Sequence, residues 1–192
     1  MTATTLASPN PSRLGLYLGI LLLGPFSYLA HEFGHWAAGE MLGVEMWMTL
    51  NKAGPASGSY GSQTYALIVS LAGPAVTVAL GVLAYLWARA TGSFLAYGLL
   101  FFQFMLRLIA GGITMTGPYP NDEALAGIIL GMGPYPITIG VAALLLALTW
   151  DAARRLRPHW AHNIGAYAVS SLLITTIVFS DRFLRDMNIQ LL

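Results

Sequence analysis

Apolar positions along this chain do not alternate with polar ones; they run together in long blocks separated by short polar or Gly/Pro-rich breaks. Residues 14–40, 65–89, 94–115, 137–150 and 164–180 form such blocks, and a membrane-spanning helix needs roughly 20 apolar residues. The second block is interrupted by Gly73-Pro74. Between the third and fourth, Gly117-Pro118-Tyr119-Pro120 and Gly133-Pro134-Tyr135-Pro136 bracket a short apolar stretch at 124–132, which predicts a half-helix capped by Asn121 or Asp122. After the first block, residues 44–50 have strand character, while 51–62 are rich in Gly, Ser, Ala and Pro and predict turn or loop. The expected fold is an all-α polytopic membrane protein: about five transmembrane helices, one half-helix, and a small β-strand or hairpin segment after the first helix. Residues 1–13 are expected to be a flexible N-terminal tail, and 14–192 a single membrane-embedded domain.

Composition points the same way. Hydrophobic residues make up 56% of the 192-residue chain and charged residues 9%, against about a quarter charged in a soluble domain. So few charges cannot hydrate a water-facing surface, whereas lipid accepts apolar side chains. The net charge of +1 and the lack of a long basic run argue against nucleic acid as a partner. Arg154, Arg155 and Arg157 follow an apolar block and fit a membrane-edge anchor. With no cysteine there is neither a disulfide framework nor a thiolate site. The first block runs into His31 and Glu32 without a small-residue cleavage site, so it is read as a retained helix rather than a signal peptide.

One motif carries chemistry. His31-Glu32-Phe33-Gly34-His35 has the HExxH pattern, and residues four apart lie on one face of a helix. Both imidazoles can therefore reach one metal ion, and the Glu32 carboxylate can take a proton from a water on that ion, then pass it to a leaving amine. With 4 His in the chain, a chance match is expected about once in six hundred such sequences. The plain alternative, polar residues buried between helices, is costly in lipid. A catalytic zinc site takes three protein ligands and one open position. Position 41, where one soluble zincin class places a third His, is Met41, and Glu40 and Glu45 are too close in sequence. Asp122, at the break after the third block, is the first choice for the third ligand, with Glu123 next. The alternative for Asp122 is a plain helix N-cap. Two His and a carboxylate also suit iron or cobalt.

The sequence resembles the site-2 protease family of intramembrane metalloproteases. Three pieces in order carry the resemblance: His31-Glu32-Phe33-Gly34-His35 with Leu42-Gly43-Val44 after it, Ala72-Gly73-Pro74 early in the next block, and Pro118-Tyr119-Pro120-Asn121-Asp122. They frame residues 14–132. The resemblance implies zinc held by His31, His35 and Asp122, Glu32 as catalytic base, and cleavage of membrane-protein substrates in or beside their transmembrane segments. It also implies pairing of an extended substrate with the strand region, for which Val44, Met46, Met48 and Leu50 are the candidates. Two positions depart from the family pattern: Thr77 stands where Asn is frequent, and Glu123 replaces the Gly after the Asp. The family places the metal on the cytosolic side. The positive-inside rule, applied to Arg13, Arg89, Arg154, Arg155 and Arg157, prefers the reverse orientation.

Other charged groups have blander readings. Arg107, inside the third block, fits an ion pair with Asp122 or Glu123. His159 and His162, beside Trp160, fit an interfacial loop better than a second metal site. The residues at 117–120 and 51–63 are candidate gates. Two other functions compete with a protease of the cell membrane: a catalytically inactive metal-binding membrane protein acting through protein–protein contacts, and an ion path, which the clustering of charge at one site disfavours.

Overall fold

A computed structural model describes residues 13–117, 119–187 and 191–192. Residues 1–12 of the tail expected over 1–13, and Pro118 of the extended break, lie outside the described residues. Helix α1 runs Leu14–Met41 and contains a π-helical turn, Gly19–Leu23. Strands β1 (Met46–Met48) and β2 (Ala53–Pro55) follow. Then come α2 (Gln63–Thr91), α3 (Phe94–Thr116), the half-helix α4 (Asp122–Ile129), α5 (Pro136–Leu156) and α6 (Trp160–Asp186). Five of these helices are long and apolar enough to cross a membrane, the architecture of an all-α polytopic membrane protein with a small two-stranded sheet.

Helix α3 is the axis of the bundle. Of its most apolar stretch 67% is buried inside the protein, against 17% for α6. Tyr97, Leu100, Phe102 and Met105 form its buried face. Large apolar side chains elsewhere point outward on the long helices, Leu21, Leu83, Leu144 and Leu172 among them, as a lipid-facing surface requires. Because lipid is as apolar as leucine, helices are held by close packing rather than by expulsion of water. Gly19 and Gly98 show how: a Cβ on Gly19 would strike the Leu95 carbonyl, and one on Gly98 the Leu16 carbonyl. The α1 and α3 backbones therefore touch where only glycine fits.

Two elements differ from expectation. Gly73-Pro74 does not interrupt the second span, since α2 is one continuous helix through Pro74. A membrane helix tolerates an internal proline when neighbouring groups satisfy the freed backbone. The segment read as loop contains β2, paired antiparallel with β1 in the register Met46↔Pro55, Trp47↔Gly54, Met48↔Ala53. Ala56 N–H bonds the Glu45 carbonyl and Thr49 N–H the Lys52 carbonyl, so by alternation the position of Pro55 needs no N–H toward β1.

Helix ends are set by local chemistry. Ser62 and Ser93 cap α2 and α3 by accepting from Tyr65 N and Ala96 N. Gly92, at φ 68°, turns the chain between them in the left-handed region. Polar ties fasten the arginine-rich end of the bundle: Tyr85 Oη donates to Asp151 at 2.8 Å, and Tyr97 Oη to Asn163 at 3.0 Å. The sheet, α4 and the HExxH segment lie at the opposite end.

Candidate metal centre

His31 and His35 sit one helical turn apart on α1 and are 3% and 6% exposed. Asp122 opens α4. The three come together: His31 Nε2 lies 3.2 Å from His35 Nε2 and 3.2 Å from Asp122 Oδ2, and His35 Nε2 lies 3.5 Å from the same oxygen. A tetrahedral ion with bonds of about 2.0–2.1 Å has ligand–ligand edges of about 3.3–3.4 Å. The triangle therefore fits such an ion with one position left open, and these three residues could hold a metal ion.

The far side of each ring supports this. His35 Nδ1–H donates to the Val69 carbonyl at 2.6 Å, and His31 Nδ1 meets Thr77 Oγ1 at 2.9 Å. A carbonyl only accepts, so the His35 proton is on Nδ1 and its Nε2 presents a lone pair; Thr77 accepting from His31 has the same effect. Two ring lone pairs and a carboxylate oxygen aimed at one point repel each other unless a cation lies among them. Thr77 is fully buried and holds the His31 ring.

Ala72-Gly73-Pro74 gains a physical meaning here. A Cβ on Gly73 would strike His35 Nε2 and come within 2.7 Å of His31 Cε1. The α2 backbone thus lies against the Nε2 edge of both imidazoles, and only glycine leaves them room.

The half-helix presents Asp122 because Asn121, not Asp122, is the cap: Asn121 Oδ1 accepts from Ala124 N at 2.8 Å. Asn121 is itself anchored, its N–H donating to Thr114 Oγ1 at 2.9 Å. Glu123 turns away from the triangle to Arg107, 3.0 Å from Nη1. Glu40 accepts from Met46 N at 2.8 Å and so covers the outer edge of β1. His159 caps α6, and neither it nor His162 joins a metal-capable group among the described residues.

A cavity of about 720 Å³ opens on the site; His31, Glu32, His35 and Asp122 all line it. So do Tyr60 from one suggested gate and Tyr119 and Pro120 from the other. Burial, with the Asp122 charge nearby, pushes the Tyr60 phenol up, so it faces the cavity as a neutral donor. From the sheet, Trp47 and all of β2 line the cavity, whereas Val44, Met46, Met48 and Leu50 do not. Met46 and Met48 are buried, Met46 against Gly39 of α1.

Sequence reading passed over a group that ties the sheet to the bundle. Asp181 of α6 is fully buried; it accepts from Asn51 N at 3.1 Å and pairs with Arg185 at 2.8 Å, and Tyr28 of α1 hydrogen-bonds Asn51. The sequence signal was faint, since Asp181 stands just past the last apolar block with Arg182 beside it and Arg185 one helical turn on.

No protein-family model, curated protein or solved structure matches this chain.

Proposed function

We propose that this chain is an intramembrane zinc metalloprotease of the cell membrane. It hydrolyses peptide bonds in or near transmembrane segments of membrane-protein substrates. The observation that carries the reading is the meeting of His31, His35 and Asp122 at tetrahedral edge lengths in a cavity that Glu32 also lines. A zinc ion held there would supply Lewis acidity and bring the acidity of a water toward neutral pH.

The chain's own residues do the rest. Glu32, adjacent to His31 on the helix, takes the proton of the attacking water and delivers it to the departing nitrogen. Thr77 and Val69 fix both rings, and Gly73 admits them. Trp47 and the apolar side chains Leu106, Ile113 and Ile174 along the wall suit the apolar residues of a transmembrane segment. An extended peptide needs a free strand edge for pairing. The cavity-facing β2 supports this role better than β1, whose outer edge is covered by Glu40 at Met46 and by Leu191 and Leu192 at Met48.

Glu32→Gln tests the reading. Cleavage of a fluorophore-labelled single-span peptide by detergent-purified protein should fall about 10²–10⁴-fold while bound zinc is kept. Full activity in that variant would refute it. Retained zinc with no turnover in the wild type would favour the inactive binding protein.

A further inference from the structure

We infer that Arg107 is a catalytic residue that receives the reacting carbonyl oxygen of the substrate, and that Glu123 is the positioning residue that aims it. This rests on the protease reading above.

Arg107 is 4% exposed in the central helix α3, where a charged side chain is functional by default. Its Nη1 lies 3.0 Å from Glu123 Oε1 and 3.5 Å from Asp122 Oδ2, the oxygen that completes the metal triangle. The guanidinium therefore borders the ligand set, and it lines the same cavity as Glu32. Glu123 is 1% exposed. It follows Asp122 on the first turn of α4, so that one residue reaches the metal ligands and the next reaches Arg107.

The pair is more than a structural staple. A guanidinium carries five N–H donors in a fixed fork. The ion pairs of Arg107 run through Nη1, and Nε is buried without a partner among the described residues, so the Nη end of the fork is what faces the cavity. A carboxylate partner, an incompletely used fork and a place on the wall of a hydrolytic cavity suit a donor set aside for charge that develops during reaction.

The step balances without another reagent. Water oxygen bonds the carbonyl carbon as its proton passes to Glu32. The carbonyl π pair moves onto oxygen, where the Arg107 N–H groups meet it. The pair then re-forms the carbonyl, the C–N bond breaks, and Glu32 gives its proton to the nitrogen.

The test uses the full chain in detergent, loaded with zinc. It compares wild type, Arg107→Lys, Arg107→Gln and the double variant Arg107→Gln/Glu123→Gln, which leaves no unpaired buried carboxylate if the single variant folds poorly. Three quantities are read: zinc per chain, kcat and KM for the labelled single-span peptide, and the affinity of a phosphinate analogue of its scissile pair. Loss of one oxyanion donor costs about 10²–10³ in kcat. Arg107→Gln and the double variant should show that loss with zinc near wild-type content and KM within about threefold, since the lost contact strengthens only as charge develops. Phosphinate affinity should fall by a similar factor. Arg107→Lys should recover only part, because an ammonium lacks the planar fork.

Unchanged kcat and phosphinate affinity in folded, zinc-loaded double variant would overturn the inference while leaving the protease reading intact. Loss of zinc in step with activity would overturn it too, reducing Arg107 to a support for Asp122. A wild type that neither cleaves the peptide nor binds the phosphinate would fail both readings.

Discussion

Replacing Gly73 with alanine adds one methyl group against the Nε2 edge of the two ligand imidazoles. The new Cβ would stand 2.7 Å from His31 Cε1 and from His35 Cδ2, where ordinary contact begins at 3.4 Å. His35 Nε2 is closer still, so the rings, or the α2 backbone, must yield by more than 0.7 Å, the difference between those two distances. Neither ring is loose: His35 is held by the Val69 carbonyl and His31 by Thr77. Metal–ligand distances tolerate about 0.2 Å, so the shift exceeds what coordination absorbs. Altering groups behind metal ligands typically costs about 10–100-fold in affinity, and a displacement of the ligands themselves should cost at least the upper figure. The helix should survive, because alanine is favoured over glycine in a helix by roughly 0.5–1 kcal/mol. Chelator competition on detergent-purified protein measures the zinc dissociation constant, with helicity followed by circular dichroism. Gly112→Ala is the control, since a Cβ there meets nothing within 4 Å. Zinc affinity in Gly73→Ala within threefold of wild type, with helicity intact, would refute the reasoning.

Thr77→Val should weaken zinc about 10–100-fold by removing the partner of His31, whereas Thr77→Asn should stay closer to wild type; the same chelator competition reads both. Asn121→Ala should cost about 0.5–2 kcal/mol through loss of the α4 cap, seen as faster hydrogen exchange at the Ala124 amide and weaker zinc binding. Gly98→Ala forces a methyl group against the Leu16 carbonyl and should destabilise the α1–α3 contact by about 1–3 kcal/mol. Its thermal midpoint in detergent should fall, while the zinc affinity of the folded fraction should not change.

The spans were legible because the length of an apolar run is a direct physical requirement of the bilayer. His31 and His35 were legible because helical spacing alone brings them together, and Asp122 because a carboxylate at a membrane-depth break has few other uses. Pairing information lay beyond reach. Gly73-Pro74 reads as a break locally, but tertiary packing needs the glycine beside the imidazoles and tolerates the proline. Ala53–Pro55 reads as turn chemistry, and its strand character depends on the partner β1. Nor did the sequence show which β1 side chains face inward: Met46 and Met48 are buried and Trp47 lines the cavity. The Val69 carbonyl that fixes His35 is a backbone atom and leaves no mark in the sequence.

The central claim is most directly tested by elemental analysis of zinc-loaded, desalted protein in four forms: wild type, Glu32→Gln, His35→Ala and Asp122→Ala. The account predicts about one zinc per chain in the first two and near-complete loss in the last two. Full zinc in Asp122→Ala, or none in wild type after loading, would contradict it.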